Sequence, residues 1–181
     1  MIRILGLDLS LTATGLDLDG VTERLSPAPL PKGPSHDDEA GRIAWLQTAL
    51  LERAGFVVDV IALEGFSYGS KGSSVDQIYG LGWAVRLAFR AVGLPYALVP
   101  PASLKQYATG KGNATKPDMR VALLQRFGLD ERDDNIVDAI WLRLMALDAY
   151  SSPLIDMPKT HRAAIAKIAW PAIDGHQLAV A

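Results

Sequence analysis

Three carboxylates stand at positions where a buried acid needs a reason. Asp8 lies near the end of the apolar run IRILGLD, Glu64 ends the apolar run VVDVIALE, and Asp138 sits inside NIVDAIWLRL. A bare carboxylate at the end of a hydrophobic strand is costly unless it is paired or binds a cation. If the first two runs are parallel neighbours, both acids lie beyond the carboxyl edge of a sheet, where open α/β sheets bind ligands. The plain alternative is that each acid merely ends its strand near solvent. Asp134 and Asn135 come one helical turn before Asp138, on the same face. Asp130, Glu131, Asp133 and Asp134 read as a solvated loop with N-capping duty, whereas Asp138 lies past that charge run, between Val137 and Ala139.

Three carboxylates at one sheet edge suit Mg²⁺, which prefers oxygen ligands. Two such ions ~3.5–4 Å apart can activate a water and stabilise the leaving oxygen in phosphodiester cleavage. The histidines (His36, His161, His176) are remote from the acids in sequence and cysteine is absent, so zinc and thiolate chemistry are disfavoured.

Elements must bring these residues together. Residues 2–10 read as a strand, with Ile2, Ile4, Gly6 and Asp8 on one side. GLDLD (15–19) alternates, Asp19-Gly20 signals a hairpin turn, and a third strand runs from Val21 to Leu25. After a proline-rich loop (27–36), a helix spans Asp37 to Ala54. Val57–Leu63 reads as a strand buried on both faces. A glycine- and serine-rich loop leads to a helix over 74–92, then a short fifth strand, YALV (96–99). A helix through Leu104, a break at TGKGN (109–113), a helix from Pro117 to Phe127 capped by Gly128, and a long helix from Asn135 to Tyr150 follow. The expected class is α/β: a mixed five-stranded sheet, three antiparallel then two parallel strands, flanked by helices.

These residues resemble a known family. ILGLDLSLTATGL is similar to the opening strand and turn of the RuvC-like Holliday junction resolvases, within the RNase H-like superfamily. IALEGFSYG resembles their second motif, DDNIVDAIWLRL their last, and PPASLKQYATGKGNATK the segment that supplies basic residues. The resemblance spans residues 2 to 148. It implies a structure-selective endodeoxyribonuclease that cuts branched DNA with two Mg²⁺ per site, Mn²⁺ substituting. By it, Asp8, Glu64 and Asp138 are catalytic carboxylates and metal ligands, and Lys105 and Lys116 are catalytic basic residues that contact the scissile phosphate or its neighbours. The family's acid or histidine three positions before the final Asp is Asn135 here, so the fourth ligand stays open between Asn135 and Asp134. The resemblance also implies DNA contacts at Phe66, Tyr68, Lys71 and Lys111, with Tyr68 a better base probe than Phe66, and a homodimer through the helix 74–92. Surface lysines, an inward-packed Phe66 and intramolecular helix packing are the plain alternatives.

The composition limits these readings. The 181 residues are 49% hydrophobic, enough for one sizeable core. Residues 1–150 are expected to form the RNase H-like domain. Residues 151–181 are expected to form a tail with a short helix around 160–169 and a frayed end, whose Lys159, His161, Arg162, Lys167 and Trp170 offer an accessory DNA contact or a solvated helix. The net charge is −2, from 18 basic and 20 acidic residues, so any DNA affinity must come from local basic patches. No apolar stretch approaches the ~18 residues of a membrane span, and the lack of cysteine and of a signal-peptide pattern fits a cytoplasmic protein. Three rivals remain: an RNase H-like nuclease acting on flaps, forks or RNA–DNA hybrids; a catalytically weak branched-DNA-binding module; and a sugar-kinase or actin-like ATP-binding domain. The chain is short for the last, and no second phosphate loop is evident.

Overall fold

A computed structural model of the chain describes residues 2–55, 57–66 and 75–179. Its sheet follows the expected plan. β1 (Ile4–Asp8), β2 (Thr14–Leu18) and β3 (Val21–Leu25) form an antiparallel meander, and β4 (Val60–Glu64) and β5 (Tyr96–Val99) add in parallel, in the order β3-β2-β1-β4-β5. The hairpin between β2 and β3 turns on Asp19 and Gly20, with φ of 53° and 87°. Asp-Gly suits that turn because both central residues need positive φ.

The two central strands are buried on both faces. Leu5 and Leu7 of β1 and Ile61 and Leu63 of β4 face α1 (His36–Ala54) and α2 (Val75–Ala91). Ile2, Ile4, Val60 and Ala62 face the opposite layer, built from α3 (Pro101–Thr109), α4 (Lys116–Phe127) and α5 (Asp134–Ala149). α1 begins with a capping box on Ser35, whose hydroxyl accepts from the Asp38 amide while the Asp38 carboxylate accepts from the Ser35 amide. The strand expected over 57–63 begins at Val60 instead. Val57 is exposed, and the Asp59 carboxylate accepts from the Arg3 amide at 2.7 Å, ending the turn and setting the β1–β4 register.

The C-terminal segment packs on the α3–α5 layer. Its helical part is two short pieces, α6 (Lys159–Arg162) and a 3₁₀ turn at Ile165–Lys167, rather than one helix over 160–169. Met157, Ala164, Ile165 and Ile168 join the core there. His161 is buried with Nδ1 2.8 Å from the Tyr107 carbonyl oxygen, and Lys167 Nζ donates to Gln106 Oε1 at 2.7 Å. Asp148, fully buried on α5, accepts from Arg162 Nε at 3.0 Å and from the Tyr107 hydroxyl at 3.2 Å. Arg162→Ala leaves that carboxylate buried without its cation, an expected cost of about 3 kcal/mol. Urea denaturation measures it; a loss below ~1 kcal/mol would mean that water replaces the guanidinium.

Candidate metal centre and adjoining cleft

Parallel pairing places the first two acids. Leu7 pairs with Leu63, so Asp8 and Glu64 leave the same edge of the sheet from adjacent strands. Asp138 comes from α5, which lies on β1 and β2 unusually closely. A Cβ on Gly6 would sit 2.0 Å from the Ala139 carbonyl oxygen, and one on Gly15 would sit 2.2 Å from that of Asn135. Two glycines thus let the helix backbone rest on the strands and bring Asp138 to the sheet edge.

The result is one tight cluster. A carboxylate oxygen from each of Asp8, Glu64 and Asp138 lies within 4.8 Å of the others. Among the described residues, no other group of three or more His, Asp or Glu side chains converges in this way. Asp8 is 7% exposed, and burial, then the charge of Glu64, holds its pKa well above the usual carboxylate range. Burial also raises Glu64, and burial followed by the charge of Glu64 pushes Asp138 up to about 7. Three desolvated acids that resist ionisation together form a site short of positive charge. The donor set is all oxygen, which fits Mg²⁺ or Mn²⁺ better than zinc.

Lys105 of α3 and Lys116 of α4 supply part of the missing charge. Both lower the pKa values of Glu64 and Asp138, and Lys116 also lowers that of Asp8. The two candidates for a fourth ligand are engaged elsewhere. Asp134 is paired with Lys116 Nζ at 3.1 Å and Arg120 Nη2 at 2.6 Å, outside the trio. The Asn135 amide donates to the Ala13 carbonyl oxygen and fastens α5 to the β1–β2 turn.

The DNA-contact candidates separate. The Phe66 ring packs on Gly82, where a Cβ would sit 2.1 Å from Phe66 Cε2, and meets Tyr79 edge-on at 5.5 Å. Tyr68 and Lys71 lie outside the described residues. Lys111 lines a separate cleft between α3 and α4, about 480 Å³, with Asp118 and Arg126. In the tail, His161 and Arg162 turn inward to Tyr107 and Asp148, and the Trp170 ring rests edge-on against Tyr150, leaving Lys159 exposed.

Beside Glu64 the sheet edge opens into a cleft of about 760 Å³ between α2, α3 and the end of β5. Trp83 and Arg86 of α2 line it, the guanidinium carbon 4.0 Å from the centre of the indole ring. Sequence reasoning misses both. The visible pattern of the helix is its inward stripe, with Val85 and Phe89, and the outward pair carries no motif.

No family model matches the chain. Among curated proteins it is similar to the crossover junction endodeoxyribonuclease RuvC of Corynebacterium efficiens, 28% identical over 160 residues, covering 85% of this chain and 71% of that protein. The RuvC of Corynebacterium diphtheriae is 26% identical over 164 residues, covering 87% of this chain and all of its counterpart. Among solved structures it is similar to Thermus thermophilus RuvC, with a TM-score of 0.64 at 21% identity over 83% of this chain and 98% of that one. The same protein in complex with a Holliday junction substrate gives 0.58 at 21% identity, over 79% of this chain and 90% of that one. The yeast mitochondrial Holliday junction resolvase Ydc2 gives 0.52 at 14% identity, over 91% and 80%. These structural likenesses establish the RNase H-like fold.

Proposed function

We propose that this RuvC-like chain is a structure-selective endodeoxyribonuclease that cuts branched DNA, Holliday junctions first, by metal-assisted hydrolysis of a phosphodiester. The observation that carries the reading is the buried Asp8–Glu64–Asp138 cluster at the sheet edge. The names of the curated relatives and of the junction-bound neighbour point to the same substrate.

The trio would hold two divalent cations, Mg²⁺ with Mn²⁺ as substitute. Bound there, such ions supply an activated water and a charge that stabilises the leaving oxygen. The protein's own groups do the rest. Lys105 and Lys116 border the trio and act as point charges toward the phosphate backbone. Lys111 and Arg126 extend a basic surface along α3 and α4, the kind of local patch that a net-acidic chain needs. Asn135 serves the site by fixing the β1–β2 turn through Ala13, and Asp134 by holding Lys116 in place.

Pairing across α2 would put two such sites on one four-way junction. The solvent face of that helix carries Trp83 and Leu87, 58% and 57% exposed, an apolar pair suited to a second copy of the chain. No described helix is long and apolar enough to cross a membrane, and DNA processing fits a cytoplasmic location.

The test is a substrate panel. A four-way junction, a flap, a fork and an RNA–DNA hybrid are incubated with the full chain, with and without Mg²⁺. Mg²⁺-dependent nicking of the junction, faster than of the other three, is expected. Preference for the hybrid or flap would reassign the substrate; tight junction binding without nicking under Mg²⁺ or Mn²⁺ would reassign the chain as a binding module.

A further inference from the structure

We propose that His161 is a positioning residue for Lys105: through it the C-terminal segment holds the last turn of α3, and so fixes where the Lys105 ammonium stands beside the three carboxylates. The inference rests on the nuclease reading above and adds to it a residue outside the metal centre.

α3 needs support from outside. It is nine residues long, too short to hold itself in water. Its N-cap, Pro100, makes no side-chain bond, and its last turn has no basic residue of its own. The carbonyls of a last turn lack partners within the helix. That of Gln106 accepts from the Gly110 amide at 2.8 Å. That of Tyr107 lies 2.8 Å from His161 Nδ1. A carbonyl oxygen only accepts, so Nδ1 carries the hydrogen of this bond. Gly110 makes room for the ring: its φ is 83°, and a Cβ there would stand 2.8 Å from His161 Nε2. His161 is buried, so nothing in solvent can replace the bond it makes.

The same segment is bonded to the helix of Asp138. Arg162, next to His161, pairs with Asp148 of α5, whose carboxylate also accepts from the Tyr107 hydroxyl. The Tyr150 hydroxyl, just past α5, donates to the Pro171 carbonyl oxygen at 2.7 Å. On the α3 side Gln106 is held from two directions. Its amide donates to the Thr160 carbonyl oxygen at 3.3 Å, and its side-chain oxygen accepts from Lys167 Nζ at 2.7 Å. Gln106 and Tyr107 directly follow Lys105, whose carbonyl accepts from the Thr109 hydroxyl at 2.8 Å in the same turn. The segment therefore joins the helix of Lys105 to the helix of Asp138, two groups whose charges act on each other. Shifting a catalytic group by about 1 Å can cost up to ~100-fold in rate, so a bond that fixes their spacing bears on the reaction without touching it.

The experiment is a double-mutant cycle on the full chain. Single-turnover junction nicking with Mg²⁺ is compared for wild type, His161→Ala, His161→Asn, Lys105→Ala and the double variant His161→Ala/Lys105→Ala, below the unfolding temperature of each. Asn keeps an N–H donor near the place of Nδ1. His161→Ala is expected to slow nicking about fivefold, the scale of one hydrogen bond, and His161→Asn to recover most of the rate. Once Lys105 is gone, the His161→Ala change is expected to cost almost nothing further, because the group it positions is absent. Losses that multiply in the double variant, or a wild-type rate in His161→Ala, would overturn the inference. A second readout does not use catalysis. The lysines are labelled by reductive ¹³C-methylation, and the Lys105 signal is identified by its loss in Lys105→Ala. That signal is expected to move in His161→Ala and to return in His161→Asn; an unmoved signal overturns the inference. If wild type nicks no junction, the nuclease reading fails by itself, and the lysine signal alone decides the positioning. If His161→Ala does not fold, Lys167→Ala takes its place, since it removes the Gln106 bond at an exposed residue. Its expected loss is about twofold and requires Lys105; a loss that persists without Lys105 overturns the inference.

Discussion

Asp8→Asn, Glu64→Gln and Asp138→Asn are each expected to reduce Mg²⁺-dependent junction nicking by about 10³-fold or more, and each is expected to make the metal-free protein more stable at pH 7.5. The second effect follows from the pKa directions. All three carboxyls are raised in the folded state, Asp138 from 3.8 to about 7. Between the unfolded values and about 7, the folded protein therefore holds protons that the unfolded chain has released. Stability must fall as pH rises through that window. One carboxyl raised that far corresponds to a penalty on the order of 2–4 kcal/mol above pH 7. Removing it by amidation is expected to raise the metal-free Tm by roughly 5–10 °C at pH 7.5, with little change at pH 4.5. Mg²⁺ should stabilise wild type at pH 7.5 and the variants much less, because cation binding offsets the same repulsion. Differential scanning fluorimetry at the two pH values, with and without Mg²⁺, reads all of this. A lower metal-free Tm for all three variants would show that the carboxyls hold the fold together, not a cation.

How far the sequence reveals this site differs from residue to residue. The strands ending at Asp8 and Glu64 are legible because two central parallel strands must be apolar on both faces, and an acid at the end of such a run is conspicuous. The hairpin at Asp19-Gly20 and the cap at Gly128, with φ of 69°, are legible because turn chemistry is local. Asp138 is legible as the first acid beyond the charge run at the start of its helix. Partner choice is not. Asp134 meets Lys116 and Arg120 only because α4 packs beside the start of α5, and Asn135 meets Ala13 across 122 positions of sequence. Nothing local distinguishes those fates from metal ligation. The C-terminal segment also hides its role, since its buried residues are spaced around two short helical turns and show no sustained period. Trp83 is invisible for a related reason: an exposed tryptophan becomes informative only when Pro101 and Leu98 arrive to form a wall opposite it.

Gly6 looks in the sequence like one more position in a strand, yet it carries the second large expected effect. Gly6→Ala is expected to destabilise the protein by about 3 kcal/mol or more. The new methyl would stand 2.0 Å from the Ala139 carbonyl oxygen and 2.8 Å from the Arg143 amide nitrogen. Both are backbone atoms of α5, so no side chain can rotate out of the way. Either β1 or α5 must move, and α5 also holds Trp141 and Met145 fully buried in the core. Gly41→Ala is the matched control. Gly41 lies inside α1, where an added methyl group would meet nothing within 4 Å, and the change should stabilise by up to ~1 kcal/mol through helix propensity. Urea denaturation of the pair separates close packing from a general glycine effect. A loss below ~1 kcal/mol for Gly6→Ala would mean that the helix yields easily. The same pair bears on the metal centre. Any Gly6→Ala protein that folds must hold Asp138 farther from Asp8 and Glu64, so its Mg²⁺-induced rise in Tm should shrink, while Gly41→Ala should keep the full rise. Equal Mg²⁺ responses in the two would show that the trio tolerates displacement of α5, and that the close helix–strand contact serves the core rather than the site.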